Sequence, residues 1–515
     1  MAQGPGSSTR ECPPVPAVII RACYTGRMRG SPQPPHGAPF MVGASAIDER
    51  AADRLLAAAL ASGGEHAELF FEHRRSLHLA LEDGRVRSVG AGVDGGVGIR
   101  VVVGGAVGFA YAESLEPAAM LLAARTASRI ARARGGVRPA GRAAGVQKRR
   151  GAPGPAQATG VDAPAAEFAA ILRRIDAAAR AASPAIVRVE ASLAAVHREI
   201  LIAVSGGPMI HDVQPLLRVS AVAVAQRGTR REAGAAGGGG RFGLEYFARR
   251  SPESIGQEAV RIALVNLDAR AAPAGNLPVV LAAGDAGIWL HEAVGHGLEA
   301  DFIRKRTSTY SGRSGLVASP RVTLIDDPGV PGGRGSIAVD DEGVVPGPHL
   351  LIERGVLRGS LHDRLSAAAV GLPPGGSGRR QSFRDAPLPR MTNTWMAAGD
   401  EDPADILRSV KLGVYAARFS GGQVNIAGGD FVFALTEGYL IEDGRLTAPL
   451  RGVNLIGNGP AALAAVSMVG HDLQMSEGTW TCTKEGQNVP VGVGMPTVKI
   501  DQLTVGGTTL AGGRP

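Results

Sequence analysis

The sequence predicts an α+β protein: an N-terminal helix–antiparallel sheet–helix domain followed by a larger β-rich domain. Three observations predict it. Asp83-Gly84 and Gly104-Gly105 each separate two short apolar runs, which is a hairpin signature. Ala/Leu-rich stretches with helical start and stop residues flank those hairpins. The remainder alternates short apolar runs with Gly/Pro turns. The 515 residues make two to four domains the expectation, at ~150 residues each. Apolar residues are 44% but aromatics only 4%, so the core must be mostly Ala, Val, Leu and Ile.

The elements follow in order. Residues 1–45 are rich in Pro, Gly, Ser and Arg and read as a disordered tail, or as sequence upstream of the true start, for which Met41 is suitable. Residues 46–134 form the N-terminal α+β domain. Asp48 to Ala61 is its first helix, ended by Gly63-Gly64. Leu77–Leu81, Val86–Val89, Ile99–Val103 and Ala106–Ala110 are its strands. Ser114 caps a helix from Pro117 to about Arg134. Residues 135–163 have no periodicity and read as a Gly/Ala/Pro/Arg-rich loop or linker.

Residues 164–276 form a central α+β region. Its helices are Pro164–Ala182 and Ser254–Asn266; Ile186–Leu193 and Arg198–Val204 read as paired strands, with Leu216–Val224 another. Gly234 to Gly240 lacks the Lys-Ser/Thr and following helix of a phosphate-binding loop. Residues 277–510 are the β-rich C-terminal domain, with hairpins within Ile352–Leu357 and Tyr439–Leu446.

Composition excludes several classes. No apolar run reaches the ~18 residues of a membrane helix. Three Cys, two of them (Cys12, Cys23) in the tail, do not make a disulfide-stapled secreted fold. The Pro16–Ile20 patch is too short for a secretory signal, so a cytoplasmic location is expected. The net charge of +8 is local: residues 120–151 carry nine basic residues and no acid, and without them the chain stands at −1. That stretch could touch nucleic acid or an acidic partner, or be a solvated loop. No aromatics interleave it, so a base-stacking platform is not indicated.

The chemistry concentrates in Leu290-His291-Glu292-Ala293-Val294-Gly295-His296-Gly297-Leu298-Glu299. Val279–Leu281 is a strand, and Asp285 can cap the helix after it. Two imidazoles and an adjacent carboxylate are what a hydrolytic zinc site needs: His291 and His296 hold the metal, and Glu292 takes a proton from water. Histidines five apart are offset by about 140° on a regular helix. A π-type insertion, or opening at Gly295 and Gly297, would bring them together. The spacing therefore predicts a distorted helix, and the β-rich domain carries it. The alternative is two histidines on an Ala-rich helix with no metal. A third ligand is required, and Glu299, Asp301, His349, His471 and Cys482 are candidates. A lone Cys is more often a small buried hydrophobe.

The nonapeptide from His291 to Glu299 resembles the signature of the TldD/PmbA family of metallopeptidases, in its TldD-type, zinc-bearing form. The resemblance continues through Ile325-Asp326-Asp327-Pro328-Gly329, Val339-Asp340-Asp341-Glu342-Gly343 and Pro389-Arg390-Met391-Thr392-Asn393-Thr394. It extends through Leu455-Ile456-Gly457-Asn458-Gly459 and Cys482-Thr483-Lys484-Glu485-Gly486-Gln487, and spans roughly residues 45–505. It implies His291, His296 and Cys482 as Zn2+ ligands and Glu292 as catalytic base. It also implies a heterodimer with a PmbA/TldE-type sister subunit (a homodimer is the alternative) and unfolded peptides or precursor leader segments as substrates. The family's older label, modulator of DNA gyrase, finds no support here as direct DNA binding. Such a peptide is expected to bind as an added β-strand.

Other polar groups carry open readings. Glu299 either orients His296 or is a surface acid at a helix end. Asp340-Asp341-Glu342 is either a cation site or a turn with structural salt bridges. Tyr310, Arg334 and Lys484 are candidate oxyanion donors. Two other functional classes remain: a non-catalytic assembly subunit, and a nucleic-acid-associated regulator using residues 120–151.

Overall fold

The structure is a computed structural model that describes residues 40–42, 45–135, 147–151, 160–507 and 509–510. The expected tail lies outside these residues up to position 39; beyond it, Phe40–Val42 pairs antiparallel with Ser45–Ile47. Most of the expected loop over 135–163 also lies outside them. Its described part includes Gln147–Gly151, which runs parallel to Pro208–Arg227.

The fold is α+β. Helix α1 (Glu49–Leu60) is capped by Asp48, whose carboxylate accepts from the Ala51 N–H. Strands β1 (His66–Glu82) and β2 (Arg85–Val103) form a long hairpin with Asp83 and Gly84 at positive φ, and β3 (Ala106–Ala112) returns along β2. The two expected hairpins thus share one 19-residue strand. Helix α2 is Pro117–Gly135 and α3 is Ala165–Ala182. Arg125, Arg129, Arg132 and Arg134 are exposed on α2, as a solvated face would be. Strands β4 (Ile186–Val204), β5 (Pro208–Arg227) and β6 (Arg230–Gly240) follow, then α4 (Pro252–Asp268), capped by Ser251.

One correction arises here. Ile186–Leu193 and Arg198–Val204 are not paired strands but one continuous strand, β4: His197, Arg198 and Glu199 break the apolar alternation, yet they stay paired with Arg75, Arg74 and His73 of the neighbouring strand His66–Glu82. The glycine run 234–240 is part of strand β6. A Cβ on Gly234 would lie 2.2 Å from the Ala259 carbonyl oxygen, so glycine lets α4 lie directly on the strand.

Strand β1 pairs with β4 over almost its whole length, from Glu68↔Val204 to Glu82↔Glu190. Residues read as an N-terminal domain and a central region therefore build one sheet in the order β3-β2-β1-β4-β5, with β6 on β5. One face buries Leu69, Phe71, Leu193 and Leu217 under the four helices. The other face presents Phe70, Ile200 and Ile202 to Phe383 of the C-terminal half. Period-2 alternation along β1 and β4 supplies both faces.

The C-terminal half is β-rich. Strands β7 (Pro273–Leu281), β8 (Leu412–Val424), β9 (Asp430–Glu442), β10 (Asn454–Asn458) and β11 (Val498–Gly506) pair in a closed circuit. The circuit runs β7–β8 parallel, then β8–β9, β9–β10, β10–β11 and β11–β7 antiparallel. A six-stranded sheet that includes Leu324–Asp326, Asn393–Met396 and Gly492–Met495 packs beside it. The largest apolar cluster, with Trp289, Leu290, Val294, Met391 and Phe433, fills the space between them. The segment after β7 runs through that core. Among the described residues, no helix is long and apolar enough to cross a membrane.

Candidate metal centre

The chain leaves β7 and enters a 3-10 turn at Asp285–Gly287, then one α turn at Ile288–Leu290. Asp285 does not cap it. Gly284 occupies the cap position, and the Asp285 carboxylate accepts instead from Trp480 Nε1 at 3.3 Å and pairs with Arg418 at 3.4 Å. The backbone then becomes a π-helix over His291–Gly295, in which the His296 N–H reaches back to the His291 carbonyl. A 3-10 turn closes it at His296–Leu298. The π turn is the distortion expected from histidines five apart, because its wider turn brings side chains at that spacing toward one side.

Close packing holds the distortion. A Cβ on Gly295 would lie 2.1 Å from Met391 Sδ, and one on Gly459 would lie 2.1 Å from the Ala293 carbonyl oxygen. Gly459→Ala is therefore expected to push the π turn outward and destabilise the protein by about 1–3 kcal/mol. A thermal melt checks this, and an unchanged melting temperature would mean the turn is not held from this side.

The π turn faces a hairpin, Thr481–Lys484 with Gln487–Pro490. Cys482 lies on its buried side at 2% exposure. One nitrogen each of His291 and His296 and the Cys482 sulfur all lie within 4.8 Å of one another. Cys482 Sγ is 3.4 Å from His296 Nε2. Both ring nitrogens of His291 are buried and without a hydrogen-bond partner among the described residues. An orphaned imidazole is costly to bury, and a metal ligand is the ordinary reason for one. Burial alone would raise the Cys482 thiol, but the facing His291 and His296 hold it well below its usual value. Two imidazoles and a thiol poised as thiolate are zinc-type donors.

Glu292, one residue along, places Oε2 at 3.8 Å from His296 Nε2 and is partly exposed. Glu299 is fully buried, and its Oε2 lies 2.9 Å from His296 Nδ1 and 3.0 Å from Lys484 Nζ. Burial opposes its charge, yet His296 and then Lys484 push its carboxyl down to about 2. Glu299 thus grips the far nitrogen of His296 and leaves Nε2 toward Cys482.

The other candidates fall elsewhere. Lys484 is bound to Glu299, to Asp301 at 2.7 Å and to the Pro389 carbonyl at 2.9 Å, so it is not a loose oxyanion donor and Asp301 is not a loose ligand. Arg334 donates to the Trp480 carbonyl at 2.8 Å. Tyr310 is buried with its hydroxyl unpartnered among the described residues. His349 faces Ser377 at 3.3 Å. Asp340, Asp341 and Glu342 form a buried turn: Glu342 pairs with Arg100 and Asp341 with Arg198, Asp341 also accepts from the Arg380 backbone N–H, and Asp340 accepts from the Glu342 backbone N–H.

Arg390 carries no local sequence signal of a role at this site. It is fully buried and donates from Nη2 to the Cys482 carbonyl at 2.8 Å and to Sγ at 3.1 Å. Only the third dimension shows that pairing.

Two imidazoles, a thiol and an adjacent carboxylate form a donor set of the kind that hydrolytic metal sites use. Comparison with known sequences is specific. The PmbA/TldA metallopeptidase C-terminal domain matches residues 274–507, the central domain 160–267 and domain 1 67–131. The chain belongs to the PmbA/TldD metallopeptidase family. It is 42% identical to the metalloprotease TldD homolog of Haemophilus influenzae over 460 residues, covering 86% of this chain and 93% of that protein. It is 37% identical over 235 residues to the zinc metalloprotease TldD homolog of Saccharolobus solfataricus, covering 45% of this chain and 52% of that protein. Two solved structures share the fold. A Thermotoga maritima protein described as a modulator of a DNA gyrase superposes with a TM-score of 0.72 at 22% identity, covering 89% of this chain and 100% of that one. TldE of Thermococcus kodakarensis superposes with a TM-score of 0.69 at 17% identity, covering 88% and 99%.

Proposed function

We propose that this chain is a zinc-dependent metallopeptidase that hydrolyses peptide bonds of unfolded peptides or precursor leader segments, working with a PmbA/TldE-type sister subunit. The observation that carries the reading is the convergence of His291, His296 and Cys482 around an imidazole with no other partner. His291, His296 through Nε2, and Cys482 would hold the metal. Zinc bound there supplies Lewis-acid polarisation of the scissile carbonyl and of the attacking water.

The chain's own residues do the rest. Glu292 removes a proton from the attacking water and delivers it to the leaving amine. Glu299 fixes the His296 ring, and Lys484 fixes Glu299. Arg390 holds the Cys482 hairpin against the π turn. The kinship with a zinc metalloprotease TldD homolog supports zinc, and the likeness to a TldE structure supports a sister subunit.

Elemental analysis of the purified chain tests the reading. One zinc per chain is expected, with loss in both His291→Ala and Cys482→Ala. Zinc retained in Cys482→Ala would transfer the third position to another residue. No zinc after reconstitution would overturn the reading.

A further inference from the structure

A cavity lies at the open end of the Cys482 hairpin, where the N-terminal sheet meets the C-terminal half. Its volume is about 330 Å³, and Thr481, Asn488, Val489 and Pro490 of the hairpin form one wall. The remaining lining is rich in arginine: Arg74, Arg198, Arg241, Arg334, Arg379 and Arg380. Asp341 is the single carboxylate among the lining residues.

The charges do not cancel. Arg198 is answered by Glu72 at 2.8 Å and Asp341 at 3.2 Å, and Arg380 by Glu68 at 2.5 Å. Among the described residues, no carboxylate lies within 4.0 Å of Arg241, Arg334 or Arg379. Their donors go to neutral carbonyls instead: Arg241 to Ser336, Arg334 to Trp480, Arg379 to Met391 and Pro490. Arg198 Nη2 is buried and has no hydrogen-bond partner among the described residues.

Buried charge without a counter-charge is unfavourable. The stress is visible in the groups themselves. Burial, and then the facing Arg379 and Arg198, push Arg241 down to about 9. Burial likewise takes Arg334 and Arg379 down to about 10. All three stay charged at pH 7, so proton loss does not relieve the repulsion. An anion would.

We propose that this cavity is an anion subsite that receives a carboxylate of the peptide substrate. The naming of a peptide rests on the peptidase reading above; the anion site itself rests on the arginines. Guanidinium groups bind carboxylates through charge-assisted, often bidentate hydrogen bonds. Thr481 and Val489 both line the cavity, and each is next to Cys482 along its strand or across the hairpin. A carboxylate seated there would anchor an extended chain that passes the metal centre. It would give the enzyme a preference for peptides that present a carboxylate at that distance from the scissile bond. The carboxylate is either the chain terminus or an Asp or Glu side chain, and the test separates these sources.

The test uses the full-length Glu292→Gln chain, so that binding is read without turnover. A fluorescent acidic peptide is titrated beside its Gln/Asn analogue and beside its C-terminally amidated form. The acidic peptide is expected to bind about tenfold more tightly than the neutral analogue with a free terminus, or than the amidated form. The form that loses affinity identifies the carboxylate. Arg241→Gln is expected to abolish the difference while the neutral peptide binds as before and zinc content is unchanged. Should Arg241→Gln fail to fold, Arg74→Ala at the half-exposed rim is expected to reduce it by about threefold. Equal binding of all peptides, a preference kept in both variants, or no binding of any peptide would overturn the subsite. Wild-type hydrolysis of the neutral peptide, measured separately, tells that failure from failure of the peptidase reading.

Discussion

Glu292→Gln is expected to reduce peptide hydrolysis by about 10²–10⁴-fold, the usual contribution of a positioned general base, while the zinc content stays at the wild-type value. The two readouts must be taken together. Glu292 lies between the ligands in sequence, yet it is not one of the three side chains that converge. Its carboxylate stands 3.8 Å from His296 Nε2 and retains access to solvent, which is where a base for an attacking water must be. Gln keeps the shape and the hydrogen-bonding reach but cannot carry the proton. The measurement is steady-state cleavage of an unfolded peptide in the presence of the sister subunit, with elemental analysis of the same samples. Loss of both zinc and activity would make Glu292 a ligand. Unchanged activity would sink its role and return the chain to a non-catalytic assembly subunit.

The parts of the site that could be read from the sequence are those encoded locally. Two histidines at a spacing of five, with glycine on both sides of His296, require a deformed helix, and the π turn at His291–Gly295 is that helix. Cys482 is different. Nothing in its neighbours marks it as a ligand; family resemblance pointed to it, and the turn-like stretch around it gave no geometry. Arg390, Met391 and Gly459 act on the site from more than ninety residues away, so no local pattern reveals them. In the fold, helix ends and hairpin turns were legible because Asp48, Ser251 and Asp83-Gly84 satisfy local backbone needs. The union of residues 46–134 and 164–276 in one sheet was not, because the β1–β4 pairing joins strands more than a hundred residues apart. The arginine cavity collects residues from Arg74 to Pro490 and is invisible for the same reason.

At pH 8, above the value of its Glu342 partner, Arg100→Met is expected to lower the free energy of unfolding by about 3–5 kcal/mol, the cost of leaving a buried charge without its partner. Arg100 is 2% exposed on β2. Its Nη2 donates to Glu68 on β1 at 2.6 Å and to Glu342 of the C-terminal half. Glu68 in turn binds Arg380, also of the C-terminal half, at 2.5 Å. These ion pairs cross the junction of the two halves, on the same face of the sheet as Phe70 and Phe383. Removing the guanidinium leaves the Glu342 carboxylate with only the Arg364 backbone N–H, because the Arg364 side chain donates to the Glu342 backbone carbonyl instead. Adding Glu342→Gln to Arg100→Met is expected to recover part of the loss, since the uncompensated charge then disappears. The pH dependence has a definite sign. Burial, which the charge of Arg100 offsets only in part and to which the charges of Glu68 and Asp363 add, holds the Glu342 carboxyl up at about 7 against an ordinary value of 4.5. Between those values the folded chain keeps a proton that the unfolded chain has released. The Glu342 contribution is therefore full below about 4.5 and is lost as pH rises through about 7. Glu342→Gln alone removes that dependence, so relative to wild type it should gain stability between pH 5 and pH 7.5. Denaturant unfolding at the two pH values measures this. A wild-type-to-Gln difference that does not change with pH would show that Glu342 is ionised throughout, and that Arg100 dominates its environment over burial.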